Sequence, residues 1–137
     1  MKEVSELIRG ELAAVNSIDA VLKRINDEME KSELTSIRQD HVMAVDRLKR
    51  FVGNDFKADT QTSGPWGAFA SAFTSGASLF GDKAALQALK VGEEYGIKDY
   101  KEALTDDTID MSVKDVIRSE LLPQQERHLD VINRYLH

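Results

Sequence analysis

The chain has no cysteine, only two prolines and eight glycines, and no apolar run long enough to cross a bilayer. Without cysteine it has no disulfide bonds, no thiolate zinc site, no cysteine-ligated iron-sulfur cluster and no thiol nucleophile. Its first residues, Met1 to Glu6, carry charges where a secretory signal peptide needs an apolar segment. These absences are typical of a reducing compartment, and we expect the protein to be cytoplasmic.

The sequence also lacks an excess of positive charge. Its 18 Lys and Arg residues face 24 Asp and Glu residues, which gives a net charge of -6, and the basic residues are spread along the chain. A negative protein without a basic patch repels phosphate backbones and anionic lipid headgroups. We therefore expect neither nucleic acid nor a membrane among its partners.

What the sequence does contain is helical periodicity. Apolar residues recur at intervals of three and four almost throughout, and the 137 residues fit a single domain, so we predict an all-α fold. Asp27 is suited to cap a helix, Gly53 to end one, and Gly81 to separate two. The pattern predicts helices at about 3–25, 28–52, 66–80, 83–104 and 112–136, with a kink at Pro123.

Each of the four long helices has an apolar stripe that an ionisable residue interrupts. The interrupting residues are Glu11, His41, Glu93 and His128 in chain order, and Gln124 also breaks the fourth stripe. The inward apolar positions are predicted to be Val4, Ile8, Val15, Ile18, Leu22, Ile25, Leu34, Ile37, Ala44, Leu48, Phe51, Leu86, Leu89, Gly96, Tyr100, Val113, Ile117, Val131 and Tyr135.

The spacing of the four interrupting residues places them at one level. The first two each lie roughly 15 residues, or about 22 Å of helix, from the turn at Asp27. The midpoint between the last two falls near Asp110, inside a predicted acidic loop. Residues 53–81 are numerous enough to run the length of a bundle. The prediction is therefore an antiparallel four-helix bundle with one long crossover that contains a short extra helix.

Two carboxylates and two imidazoles in one buried layer must pair with one another, become neutral or bind a cation, because an unpaired charge is costly to bury. Carboxylate and imidazole ligands suit iron, manganese and zinc. One hypothesis is therefore a transition-metal site formed by these four residues. The other is a metal-free polar network in which Arg38 and Gln125 are further partners.

Several short motifs accompany this arrangement. They are Arg9-Gly10-Glu11-Leu12-Ala13-Ala14-Val15, Asp40-His41, Gly81-Asp82-Lys83-Ala84-Ala85-Leu86, the stretch from Gly92-Glu93 to Tyr100, and Leu122-Pro123-Gln124-Gln125-Glu126 followed by His128. With these motifs the chain resembles a bacterial ferritin-like family of unknown function, related to rubrerythrin- and ferritin-type bundles. The resemblance implies a ferritin-like fold and a setting in stress response or metal homeostasis.

The resemblance also implies a limit on the number of metal ions. Ferritin-like di-iron proteins carry a glutamate three residues before each histidine ligand. This chain has Arg38 and Gln125 at those positions. The resemblance therefore implies one metal ion or none, with these two residues beside the site.

Other polar and aromatic residues have simpler interpretations. Asp40 and Glu126 lie off the stripes and are expected to be solvated, with second-sphere contact to the histidines as the alternative. Tyr100 and Tyr135 are expected at the edge of the core with solvated hydroxyls. The uncharged segment 66–80 is expected to pack on the bundle or to mediate self-association through Trp66, Phe69 and Phe73.

The sequence thus leaves two functional hypotheses. The first is a ferritin-like domain that binds a transition metal between its helices, and, if it is an enzyme, an iron-dependent oxidase or ferroxidase. The second is a non-enzymatic structural or interaction module with a buried polar network. No residue pattern identifies a substrate, and no catalytic residue is assigned.

Overall fold

The computed structural model describes residues 4–53 and 81–136. Its elements are α1 (Val4–Leu22), α2 (Glu28–Val52), α3 (Asp82–Leu104), α4 (Met111–Val116), a π-helical turn (Ile117–Leu121) and α5 (Leu122–Leu136). Because α4, the π-helical turn and α5 are continuous, the described residues form four helices and no strand, which confirms the all-α class. The predicted helix at 66–80 lies outside the described residues. Within the described ranges, no helix is both long and apolar enough to cross a membrane.

The ends of α2 lie where the sequence predicts them. Asp27 Oδ1 accepts hydrogen bonds from the backbone N–H groups of Met29 (2.9 Å) and Glu30 (3.3 Å), so its side chain caps the helix. Gly53 follows the last turn with φ +60°, and its N–H donates to the Lys49 carbonyl. A positive φ is readily available to glycine, which is why the helix stops there.

The loop between α3 and α4 is closed by its own side chains. Asp106 Oδ1 accepts hydrogen bonds from the Thr108 backbone N–H (2.9 Å) and hydroxyl (2.6 Å). Helix α4 then begins after Asp110, one residue before the predicted start at 112. The chain therefore turns inside the predicted acidic loop.

The helices bury two apolar clusters. Helix α1 packs against α2 and α3, and α3 packs against α5. The first cluster contains Leu7, Ile8, Ala44, Val45, Leu48, Tyr100, Ala103, Ile109, Val113, Ile117 and Leu121. The second contains Ile18, Val21, Ile25, Leu34, Ile37, Ala85, Leu86, Leu89 and Ile132.

A buried polar layer separates these clusters. On α1, Glu11 lies between Ile8 of the first cluster and Ile18 of the second, and on α2, His41 lies between Ile37 and Ala44. Glu93, Gln125 and His128 hold the corresponding places on α3 and α5 and are likewise buried. The polar groups are thus enclosed by apolar packing on both sides.

The inward face of the fourth helix differs from the predicted one. Gln125 and Ile132 are buried, at 5% and 0% exposure, in place of the predicted Gln124 and Val131. The reason is the π-helical turn at Ile117–Leu121, whose hydrogen bond spans one residue more than that of an α-helix and so shifts the register after it.

Two aromatic predictions were wrong. Phe51 is 38% exposed, because the stripe of α2 continues from Leu48 to the partly buried Val52 and bypasses it. Tyr100 faces inward as predicted and belongs to the first cluster, but at 2% exposure its hydroxyl is buried and not solvated at the core edge.

Candidate metal centre

Each of the four described helices contributes one of the predicted ionisable side chains to the polar layer. Glu11 comes from α1, His41 from α2, Glu93 from α3 and His128 from α5, and all four are at most 4% exposed. They were placed at one level by counting residues from the turns, and the structure brings them into contact. Whether they bind a metal is a separate question that depends on their detailed geometry.

The His41 ring lies between two carboxylates. Its Nδ1 is hydrogen-bonded to Glu11 Oε2, and its Nε2 lies 2.7 Å from Glu93 Oε1. A carboxylate can only accept, so both contacts are satisfied when both ring nitrogens carry protons. In this arrangement His41 is an imidazolium ion flanked by two anions.

The electrostatics agree with that protonation state. Burial by itself lowers the pKa of His41, but the negative charges of Glu93 and Glu11 outweigh burial and raise the pKa well above 6.5. Burial alone raises the pKa of Glu93, but His41 and His128 outweigh it and lower the pKa to about 2. The charges of this pair stabilise each other.

The second imidazole has a different environment. His128 Nε2 lies 2.9 Å from Asp40 Oδ2, and the ring centroid is 4.7 Å from that of His41. Asp40 is 39% exposed, so it is partly solvated as expected and also contacts the histidine. The other ring nitrogen, His128 Nδ1, lies 3.7 Å from Glu93 Oε2. Among residues 4–53 and 81–136, neither of those last two atoms has a hydrogen-bond partner.

The inner atoms converge on one region. Donor atoms of His41, Glu93 and His128 all lie within 4.8 Å of one another, close enough to share an ion. Each imidazole directs one nitrogen to this region and the other to a carboxylate, Glu11 or Asp40. Glu11 is not part of the converging group, because it lies on the far side of the His41 ring.

Tyr100 also belongs to this network, although the sequence analysis did not connect it with the four ionisable residues. Its hydroxyl donates a hydrogen bond to Glu11 Oε1. Burial first, and then the negative charge of Glu11, raise the pKa of Tyr100 well above 10, so the phenol keeps its proton. A signal was present, because Tyr100 follows Glu93 by seven residues, two helical turns along the same face.

The two residues that the resemblance places beside the site differ in location. Arg38 Nε donates to Asp19 Oδ1 at 2.6 Å on the surface, so Arg38 is not part of the buried layer. Gln125 is buried and its Nε2 donates to the Glu93 carbonyl at 3.5 Å. Glu126 is exposed, as expected.

A small cleft between α1 and α3 adjoins the layer. Its volume is about 20 Å³, enough for one water molecule. Its walls include Gly10 and Ala14 of α1 and Gly92 and Gly96 of α3, with Glu11 and Glu93 beside them. The small residues let the two helices leave this space next to the carboxylates.

Comparison with known proteins does not assign this chain to a family. No protein-family model, no curated protein and no solved structure matches it. The resemblance to ferritin-like proteins therefore rests on the sequence motifs, and the chemistry of the site rests on its own geometry.

Proposed function

We propose that this chain is a ferritin-like, antiparallel four-helix-bundle domain that binds one divalent transition-metal ion between its helices. Its ligands are His41 Nε2, His128 Nδ1 and the Glu93 carboxylate. The observation that carries the proposal is the pair of buried atoms Glu93 Oε2 and His128 Nδ1, which face each other at ion-pair distance, 3.7 Å, and form no hydrogen bond with any described residue. A buried polar atom without a partner costs roughly 1–3 kcal/mol, and a cation bound to both removes that cost.

The outer contacts of both imidazoles support this assignment. Histidine ligands of metals commonly donate their other N–H to a carboxylate, which sets the tautomer and the ring orientation. Glu11 has this position for His41, and Asp40 has it for His128. The proposal therefore gives Glu11 an orienting role, where the sequence hypothesis made it a ligand.

The ligand types limit the metal to a few elements. Two imidazoles and one carboxylate suit iron, manganese and zinc, and the set is typical of non-haem Fe(II) proteins with open positions. Bound iron supplies redox chemistry, so oxidation of Fe(II) by dioxygen is the first reaction to test. Such an oxidase or ferroxidase activity fits the stress-response or metal-homeostasis setting that the resemblance suggests.

A specific observation favours a second candidate, a structural module with a metal-free core. His41 is hydrogen-bonded to both Glu11 and Glu93, and these three charged side chains pair with one another without a metal ion. Such a triad can hold helices in register without catalysis. The two candidates differ in whether a metal ion displaces a proton from His41.

Metal analysis separates the two candidates. Protein purified without chelator, and metal-free protein titrated with Fe(II) under anaerobic conditions, Mn(II) or Zn(II), is expected to bind one equivalent. His128→Gln and Glu93→Gln are expected to abolish binding, because each removes an inner ligand. Arg38→Gln is the matched control, since it changes only a surface ion pair with Asp19 outside the buried layer.

The outcome that overturns metal binding is equally defined. If the wild-type protein binds no equivalent of any of these ions, the site is a metal-free network, and the unfolding midpoint of His128→Gln then measures what the second imidazole contributes to it. His128 is the informative position because substituting His41 leaves Glu11 and Glu93 as two buried anions without a counter-charge.

Self-association is the second part of the proposal and is argued from the sequence. Trp66, Phe69 and Phe73 lie in an uncharged segment, and aromatic residues are enriched at protein interfaces. Replacing all three by serine is expected to convert an oligomer to a monomer in sedimentation experiments. An unchanged sedimentation coefficient, or a monomeric wild-type protein, contradicts this part.

A further inference from the structure

Tyr100 is connected to the centre through two hydrogen bonds in series. Its hydroxyl donates to Glu11 Oε1, and Glu11 Oε2 is bonded to His41 Nδ1. All three side chains are buried, at 2%, 4% and 1% exposure. Bulk water therefore does not compete for these contacts.

The phenol determines how Glu11 meets the histidine. A carboxylate has two oxygens and rotates about its terminal bond unless both oxygens are held. Tyr100 occupies one oxygen, which leaves the other directed at His41. Without the phenol, Glu11 Oε1 becomes a buried acceptor with no partner. Rotation of the carboxylate away from the imidazole then becomes more favourable.

The orientation of His41 depends on this contact in turn. With Nδ1–H held by Glu11, Nε2 is the nitrogen that lies 2.7 Å from Glu93 and in the converging group. A ring that rotates away from Glu11 no longer presents Nε2 there. The phenol bonds to Glu11, a carboxylate that is itself outside the converging group.

We infer that Tyr100 is a positioning residue of the metal centre, acting through Glu11 to hold the His41 ring with Nε2 available for a divalent transition metal. This inference rests on the proposed function. It assigns Tyr100 a role in affinity and ligand geometry, with no redox change at the phenol.

The test compares Tyr100→Phe with Tyr135→Phe. Tyr135 is a matched control, because its hydroxyl also donates to a carboxylate, Glu33 Oε1 at 2.8 Å, but away from the polar layer. Tyr100→Phe is expected to weaken Zn(II) binding about tenfold in a chelator competition, the size seen when a partner of a metal-bound histidine is removed. Tyr135→Phe is expected to leave the affinity unchanged.

A double-mutant cycle shows whether Tyr100 acts through Glu11. In a Glu11→Leu background, Tyr100→Phe is expected to have no further effect on Zn(II) affinity, because the residue that transmits its effect is gone. The absorption spectrum of the Co(II)-loaded protein provides a second measure, and it is expected to change in Tyr100→Phe and not in Tyr135→Phe.

The results that contradict the inference differ from those that contradict metal binding. If wild-type protein binds Zn(II) and folded Tyr100→Phe binds it equally well with the same Co(II) spectrum, the positioning role is wrong and the metal site stands. Additive effects of Tyr100→Phe and Glu11→Leu also overturn it. If the wild-type protein binds no metal, the proposed function itself fails.

Discussion

At the scale of single residues, the contact between His41 and Glu93 couples proton binding to folding. Above about pH 4.5 the ordinary, unfolded glutamate is ionised, and the folded one stays ionised down to about pH 2. Glu93 therefore contributes stability above pH 4.5 that is lost as the pH falls from 4.5 towards 2. His41, whose pKa is raised, contributes stability below pH 6.5 that is lost as the pH rises through its folded-state pKa.

We predict that the contact between Glu93 and His41 stabilises the metal-free protein most at a pH between about 4.5 and 6.5. The pKa shift of Glu93, from 4.5 to about 2, corresponds to about 3 kcal/mol of unfolding free energy lost in acid. Denaturant unfolding of wild type and Glu93→Gln from pH 2 to 6 measures this loss. In Glu93→Gln the acid loss is expected to be smaller by that amount, and parallel curves for the two proteins contradict the prediction.

A second residue-scale prediction concerns Gly96, where α3 meets the Gln125 side chain. A Cβ at position 96 falls 2.4 Å from Gln125 Nε2, so the buried amide has to move. Gly→Ala gains about 1 kcal/mol of helix propensity, but overpacking costs about 1–3 kcal/mol. Gly96→Ala is therefore expected to lower the free energy of unfolding by about 1 kcal/mol in denaturant experiments.

The double variant Gly96→Ala/Gln125→Ala is the control for this steric explanation. With the amide removed, the added methyl group has room, and only the propensity gain remains at position 96. Gly96→Ala is thus expected to stabilise the Gln125→Ala protein. Equal destabilisation in both backgrounds rules out the clash as the cause.

At the scale of elements, the π-helical turn and Pro123 belong together. In a continuous α-helix the proline ring presses on the carbonyl four residues earlier, that of Ser119, which also loses its N–H donor. The wider turn at Ile117–Leu121, where the Leu122 N–H donates to the Ile117 carbonyl, lies at this place, and we expect it to relieve both problems. The turn also sets the register in which Gln125 and Ile132 point inward.

We predict that the π-helical turn can be removed only together with the proline. Deleting the exposed Ser119 makes the helix continuous and keeps the downstream residues facing the core, but it places Pro123 inside an α-helix, at a cost of about 3 kcal/mol. Deleting Ser119 and replacing Pro123 by alanine is expected to recover most of that stability. Chemical denaturation measures both, and no recovery contradicts this account of the turn.

At the scale of the whole molecule, the polar layer connects the four helices of the described residues between two apolar clusters. Three of the helices supply the proposed metal ligands and α1 supplies the orienting carboxylate. An ion bound there is held only by the folded chain, since the ligands are far apart in sequence. Metal binding therefore adds to global stability.

We predict that metal raises the melting temperature through these ligands. At a free Zn(II) concentration one hundred times the Kd, the added stability is about 2.7 kcal/mol, which corresponds to roughly 10 °C for a domain of this size. Calorimetry with and without Zn(II) measures it. Glu93→Gln is expected to show no increase, and a similar increase in that variant indicates binding elsewhere.

The sequence by itself determined much of this architecture. Local chemistry sets the helical periodicity, the cap at Asp27 and the stop at Gly53. These features therefore identified the four long helices and most of the helix ends within the described residues. The interruptions of the stripes identified Glu11, His41, Glu93 and His128, because a polar residue in an apolar face must be buried wherever that face packs.

Only the tertiary structure decided the contacts between helices. Tyr100 and Glu11 are 89 residues apart and His128 and Asp40 are 88 apart, so no local pattern relates them. Burial of Gln125 in place of Gln124 depends on a π-helical turn that periodicity does not reveal. The choice of which imidazole nitrogen faces the centre depends on side-chain orientation across helices, which packing sets and sequence spacing does not.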